Sequence, residues 1–416
     1  MAAAARALPV RAAYLPADAR LAAAGVCCAW RGALADSSLW LTLDVSPSSG
    51  VSRPSTLAAL LPAAAARARG ALTALNVDGC PRDADAAAFA VVLANARTLR
   101  VVRLGAATWP VATLVAVLRA APQLRELYAG VAGPVTDVLR CLLGDGGALR
   151  VCTARVNFGA EHGVAEVLAL CAAVTGHASL THLRLCNAPL SSEEAFDAVV
   201  DAVVHRRIQS LTLVGCGVLS TAALARAVRD GALEALHLGS HWRSAHAPAA
   251  QQLSHGGVRQ LCAALRASRT LRSLRLIRVA LWAAPTLGAA LLNAVTAHPT
   301  LQRLELPFNL AHPRESLAAA TLSALIAADA PALRELNIGY CRLGDAGLAP
   351  VVAALRHNTH LLRLDLSDDY CSTSGAFCSV MLAALRRNAT LQSFGEPQYA
   401  TRGAETVAML VRMRAA

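Results

Sequence analysis

A short phrase, Leu-x-x-Leu-x-Leu, recurs along the chain and sets its organisation. It is clearest at Leu333/Leu336/Ile338 and Leu361/Leu364/Leu366. Good copies stand at Leu180/Leu183/Leu185, Ile208/Leu211/Leu213, Leu233/Leu236/Leu238, Leu271/Leu274/Leu276 and Leu301/Leu304/Leu306, and looser ones begin at Leu72, Leu99, Leu124, Leu149 and Leu391. The twelve starts lie about 25 to 38 residues apart, the period of an array built from one supersecondary unit. Alternation within the phrase predicts a short strand with its leucines on one face. Downstream, Leu348, Val351, Val352 and Leu355 fall three and four residues apart, which predicts a helix with one buried stripe. Each unit therefore reads strand, turn, helix, turn. One unit cannot bury its own leucines, so neighbours must stack.

The residues between the leucines are expected to face out of the strands and form the candidate binding surface. They are Asn76, Arg103, Glu126, Tyr128, His182, Arg184, Thr212, His237, Arg275, Arg303, Glu305, Glu335, Asn337, Arg363 and Asp365. With strands about 4.8 Å apart, twelve span an inner arc of about 55 Å, a scale that suits a protein surface or peptide better than a metabolite. The middle strands read as basic and the last as mixed, and the basic middle patch suggests an acidic or phosphorylated ligand.

Three segments depart from the pattern. The unit at Leu149 is weak, with Cys152 where a leucine is expected. From Gly239 to Gly257 the chain is longer than its neighbouring units and carries Trp242, Pro248, His241, His246 and His255. Such an insertion reads either as a tolerated loop or as a partner-binding one. Residues 8–43 do not follow the repeat at all. Pro16 can start a short helix, and Trp30, Leu34, Leu39 and Trp40 crowd large apolar surfaces into a segment too small to bury them alone. Ser46–Ser55 reads as a linker, and a helix is expected from Leu57 to Arg69, leading into the first strand.

Composition changes this picture little. Hydrophobic residues are 55%, mostly alanine, and aromatics only 4%, which favours thin stacked layers over a bulky centre. The formal charge of +12 comes from arginines scattered singly, with no block of five like charges, and reads as a solvated surface rather than a nucleic-acid footprint. Twelve cysteines without a secretory signal or a C-x-x-C pair suit a reducing compartment, where thiols act as small buried hydrophobes. No run of about 18 apolar residues suggests a membrane span. Hydrolase, zinc-protease and phosphate-loop motifs are absent, so no enzymatic activity is expected. Asp368-Asp369 near Cys371 reads as a solvated turn, and the three histidines of the insertion as surface residues. No metal or cofactor is expected.

Two resemblances follow. Cys80, Cys216, Asn309 and Cys341 stand at the ninth position of the phrase, and over residues 70 to 400 the chain resembles ribonuclease-inhibitor-like leucine-rich repeats. That implies an α/β horseshoe with parallel strands inside and helices outside, and ninth-position residues that pack or hydrogen-bond in the turn. The order Leu8-Pro9, Leu15-Pro16-Ala17-Asp18, Val26-Cys27-Cys28-Ala29-Trp30 and Leu39-Trp40 resembles the F-box, a small helical module. This implies that Leu15, Pro16, Val26, Trp30, Leu39 and Trp40 dock on a Skp-family linker. The expected organisation is an F-box-like module over 1–45, a linker over 46–56 and a solenoid over 57–416. Together the resemblances imply a substrate-recognition subunit of an SCF-type cullin-RING ubiquitin ligase, cytoplasmic or nuclear, with a Skp-family linker, a cullin complex and a protein substrate as partners. The site expected to bind substrate comprises Tyr128, His182, Arg184, His237, Arg275, Arg303, Glu305, Glu335, Asn337, Arg363 and Asp365, with neither nucleic acid nor membrane as a partner. The alternatives are a repeat scaffold without a ligase role, a regulator of a small GTPase and, last, a nucleic-acid binder.

Overall fold

A computed structural model describes residues 41–44, 57–77, 85–132, 153–158, 162–177, 179–240, 252–254, 257–282, 285–310, 315–367 and 375–395. Leu15, Pro16, Val26, Trp30, Leu39 and Trp40 lie outside the described residues, as do Cys80, Trp242, His241, His246, His255, Asp368, Asp369 and Cys371. The chain divides into two compact units, Met1–Cys186 and Asn187–Ala416.

The first unit runs β1 (Thr42–Asp44), α1 (Leu57–Ala68), β2 (Ala74–Asn76), α2 (Asp85–Ala94), β3 (Val101–Pro110), α3 (Val111–Ala120), β4 (Glu126–Ala132), β5 (Thr153–Asn157), α4 (Val164–Gly176) and β6 (His182–Cys186). Each of its strands pairs in parallel with the next in sequence. This is what a strand–helix repeat dictates, because every helix returns the chain to the same end of the sheet.

Two sequence expectations are corrected here. Thr42–Asp44, assigned to the helical module, is a strand: Leu43 is buried in register with Leu75, and the Thr73 amide donates to the Leu41 carbonyl at 2.7 Å. The helix at Leu57–Ala68 thus leads to the second strand of the sheet. The weak copy at Leu149 is out of register. Ala154 pairs with Leu127 and Leu183, so that phrase begins at Val151 and its members are Val151, Ala154 and Val156. Small residues at its first two apolar places hid it.

The second unit runs α5 (Glu193–Arg206), β7 (Ser210–Val214), β8 (Val218–Leu219), α6 (Thr221–Asp230), β9 (Ala235–Gly239), β10 (Gln252–Leu253), α7 (Val258–Ala267), β11 (Ser273–Ile277), α8 (Pro285–Thr296), β12 (Arg303–Glu305), α9 (Glu315–Ala327), β13 (Glu335–Asn337), α10 (Gly344–Ala354), β14 (Arg363–Asp365), α11 (Gly375–Arg387) and β15 (Ser393–Gly395). Strands β7, β9 and β11 to β15 form one parallel order, and β8 pairs with β10 apart from them. Helix starts are built locally. Ser192 and Ser220 accept hydrogen bonds from the amides of Ala195 and Ala223, and Glu193 and Glu194 sit at the positive end of α5. The phrase leucines, among them Leu211, Leu213, Leu336, Leu364 and Leu366, are all but fully buried, each stabilising the stack by about 1.5–3 kcal/mol.

Two polar sets tie successive repeats together. At the strand end, Asn187, Gly215, Arg278, Phe308 and Tyr340 share the left-handed conformation, with φ of 56°, 69°, 51°, 62° and 60°. The next residue, at the ninth position, is buried in each of these turns. There Asn309 donates to the carbonyls of Leu276 and Leu306 at 2.7 and 2.9 Å and accepts from the amides of Val279 and Leu281. Cys341 and Cys216 donate to the carbonyls of Leu306 and Val214 at 3.3 and 3.5 Å, which agrees with the role expected for this position.

The second set lies where each helix returns to the sheet, and the sequence reading overlooked it. Asn358 and Asn388 accept from the amides two and three residues on and donate to the carbonyls of Ile326 and Leu355 in preceding repeats. Asn95 accepts from the Leu72 amide, and Thr98, Thr270 and Thr300 donate to carbonyls one repeat back. Ser-Arg-Thr-Leu at 268–271, His-Pro-Thr-Leu at 298–301 and Asn-Ala-Thr-Leu at 388–391 are the sequence trace of this set.

The long unit is tied down at its return end. Gln252–Leu253 pairs with Val218–Leu219, and Thr221, fully buried, donates to the Ser254 carbonyl at 2.9 Å while its amide donates to the Ser254 hydroxyl at 3.0 Å. The Gly257 amide donates to the Thr221 hydroxyl at 2.9 Å, and a Cβ at Gly257 would stand 2.3 Å from the Ala222 nitrogen, so only glycine fits there.

Candidate functional site: the open face of the strands

Within a strand the leucine turns to the helices and its neighbours turn away, so the open face is written by the residues flanking each central leucine. In the first unit register places Asp44, Asn76, Arg103, Tyr128, Arg155 and Arg184 in one row. A second row passes through Glu126, Thr153 and His182. Asn76 donates to Asp44 at 3.1 Å, Arg103 lies 3.5 Å from Glu126, and His182 is joined to Thr181 at 2.8 Å. Arg184 is half-buried, and among the described residues its Nε has no hydrogen-bond partner. Register thus places Tyr128 and Arg184 in one row with Arg103 and Arg155. Asp44 and Arg155 were missed, the first because its strand lay in the segment assigned to another module, the second because the copy at Leu149 was read two residues early.

In the second unit the first row is Thr212, His237, Arg275, Glu305, Asn337 and Asp365, and the second is Ser273, Arg303, Glu335, Arg363 and Ser393. All the substrate-site residues expected in this part of the chain fall in these two rows. The mixed charge of the last strands is an interlocked ladder. Arg275 lies 3.0 Å from Glu305, Arg303 lies 2.5 Å from Glu335, and Arg363 lies 3.2 Å from the other oxygen of Glu335. The hydrogen bond to Glu335 raises Arg303 above the usual guanidinium value. Such half-exposed pairs add little stability, about 0–1 kcal/mol each, but they fix side-chain positions across the face. Arg303, Glu335, Asn337, Arg363, Asp365 and Ser393 line a shallow groove of about 260 Å³.

At the edge where strands β11 to β14 pass into their turns lies a second cleft, of about 270 Å³, lined by Arg275, Phe308, Tyr340, Asn337 and Asp365. Phe308 and Tyr340 stack with centroids 4.3 Å apart and planes 14° from parallel. Both hold φ near +60°, where bulky residues cost about 1–3 kcal/mol, and their stacking returns about 0.5–1.5 kcal/mol. The sequence reading missed this pair. Its signal was an aromatic residue directly before the ninth-position Asn309 and Cys341.

Among the described residues no group of three or more His, Cys, Asp and Glu side chains could hold a metal ion, and no helix is long and apolar enough to cross a membrane. Cys171, Cys186, Cys216, Cys262 and Cys341 are buried as thiols, and burial raises the Cys262 thiol above its usual value.

No family model matches the sequence, and no curated protein matches it either. In fold the chain is similar to a chain of the crystal structure of the Rad7 and Elc1 complex in yeast, with a TM-score of 0.50 at 14% identity over 89% of this chain and 92% of that one. A chain of the TLR13–ssRNA13 complex aligns with a TM-score of 0.43 at 14% identity, over 78% of this chain and 42% of that one, too slight a likeness to build on. Repeat geometry and the first of these likenesses agree on the fold: leucine-rich repeats with parallel strands and an open face written by the residues between the leucines.

Proposed function

We propose that this chain is the substrate-recognition subunit of an SCF-type cullin-RING ubiquitin ligase, holding a target protein on the open strand face and a Skp-family linker through its N-terminal residues. The observation that supports the binding half is the pair of in-register rows of polar and charged side chains on the open strand face. The ligase half is supported by the F-box resemblance of Leu15, Pro16, Val26, Trp30, Leu39 and Trp40. It is also supported by the fold likeness to one chain of a two-protein complex, Rad7 with Elc1. The mechanism is proximity. Held beside a ubiquitin-loaded enzyme, a bound target meets the reactive thioester at high effective concentration, and this chain performs no chemistry.

The test is capture of a purified Skp-family linker by the full chain, compared with Trp30→Ala and Trp40→Ala. Burying each tryptophan at the linker is worth about 1.5–3 kcal/mol, so each variant is expected to bind at least about tenfold more weakly with an unchanged thermal melt. A folded wild-type chain that captures no linker overturns the ligase role and leaves a repeat scaffold.

A further inference from the structure

On the last strands three arginines meet three carboxylates, but they pair unevenly. Glu305 faces Arg275, and Glu335 faces Arg303 and Arg363. Asp365 has no such partner: among the described residues its contacts are neutral donors only, the Ser367 amide at 2.9 Å, the Ser367 hydroxyl at 2.5 Å and the Asn337 amide group at 3.0 Å. Those donors fix the carboxylate without cancelling its charge. A carboxylate offers about four acceptor positions, so three bonds leave room for another donor. Asp365 lines the same cleft as the stacked Phe308 and Tyr340. The Tyr340 amide bonds to the Ser367 carbonyl at 2.8 Å, so ring and carboxylate are tied to one short stretch of backbone. Arg275 on the same wall has Glu305 as its counter-ion. The sequence continues from Ser367 into Asp368-Asp369, adding acidic charge to this part of the chain.

A stacked aromatic pair beside a carboxylate that, among the described residues, is held by neutral donors alone selects a planar cation. A guanidinium can stack on the rings and donate to the carboxylate at once, whereas an ammonium offers only a point charge. At about 270 Å³ the cleft falls below the usual range of small-molecule pockets and suits one or two side chains. We propose that it takes an arginine side chain presented by an extended segment of the bound protein, a proposal that rests on the open face being a protein-binding surface. The acidic or phosphorylated ligand expected from the sequence rested on the basic middle strands; in the last repeats Arg275 faces Glu305, and Arg303 and Arg363 share Glu335, while among the described residues Asp365 has no ion pair.

The test uses the full chain and three pools of labelled twelve-residue peptides. Their flanks are Gly, Ser and Ala, and the central residue is arginine, norleucine or glutamate. By fluorescence polarisation the arginine pool is expected to bind at least about fivefold more tightly than the norleucine pool. That preference should vanish in Asp365→Asn and in Tyr340→Asn and persist in Arg229→Gln, a change on the outlying helix α6. Asparagine accepts the left-handed backbone, so Tyr340→Asn keeps the test open if Asp365→Asn fails to fold. Equal binding of all pools, preference for glutamate, or an arginine preference that survives Asp365→Asn or Tyr340→Asn overturns the proposal. Linker capture by the same preparations depends on Trp30 and Trp40 and is read separately. Arginine preference without linker capture removes the ligase role and keeps the cleft.

Discussion

His298 stands where Ser268, Asn358 and Asn388 stand in other repeats, three residues before the phrase, at the turn from helix back to sheet. It is almost wholly buried, and its Nδ1 accepts from the amides of Thr300 and Leu301 at 3.2 and 3.1 Å. Two donors on Nδ1 require the neutral ring with its proton on Nε2. Burial, reinforced by Arg269, lowers its pKa from 6.5 to about 4. The unfolded chain therefore binds the proton more readily in that window. The stability this residue contributes is complete above about pH 6.5 and is lost as the pH falls toward 4, by at most about 3 kcal/mol. Asparagine makes the same two acceptor bonds at 358 and 388 and does not titrate. His298→Asn is expected to match the wild type in urea unfolding at pH 7 and to exceed it increasingly at pH 5.5 and 4.5. Stability curves that stay parallel across this range would show that His298 is not the group responsible. The pattern of these polar positions was present in the sequence but masked by its variety: Asn, Ser and His alternate there, and only their common contacts show one role.

Elements were legible wherever the repeat was carried by leucine, because burial on a fixed period is a strong constraint and few residues satisfy it as cheaply. They were not legible where alanine or valine fills the same place, as at Val151/Ala154/Val156, since small residues carry no period of their own in an alanine-rich chain. Nor could the period show that the return end of the long unit is anchored, because Thr221, Ser254 and Gly257 act through hydrogen bonds and a close backbone approach rather than through hydropathy. That anchor makes its own prediction. Thr221→Val keeps the shape of a buried side chain but removes the donor to Ser254 and the acceptor for Gly257, leaving both backbone groups unsatisfied at about 1–3 kcal/mol. Amide hydrogen exchange is expected to accelerate at 252–254 and 257 by tenfold or more, while β11 and β12 keep their protection. Unchanged exchange at 252–254 would mean that the β8–β10 pairing alone holds the segment. The open face was legible as a list of positions, but which charges pair was not, since partners such as Arg303 and Glu335 lie a whole repeat apart.

At the scale of the whole molecule a repeat stack is quasi-one-dimensional: each unit touches its neighbours and little else, so damage should stay local. Within the second unit, Leu336 is fully buried at the centre of β13, in register with Leu304 on β12 and Leu364 on β14. Its truncation removes buried methyls and leaves a cavity between two layers, at a cost of about 2–5 kcal/mol. In a single compact core that loss would be shared by every amide that exchanges through global unfolding. In a stack it should be graded by distance along the sheet. Leu336→Ala is expected to lower protection most in β12, β13 and β14 and least in β7 and β9, which lie two or more strands beyond the altered neighbours. The amplitude of that gradient measures the coupling between repeats: a steep fall means weak interfaces and independent opening, a uniform fall means that the unit unfolds as one. The result bears on binding as well. A protein held along several strands draws on residues from separate repeats, so steep decoupling would let one end of the face open while the other keeps its grip. A uniform loss of protection across β7 to β15 would instead require the whole unit to act as a single rigid surface.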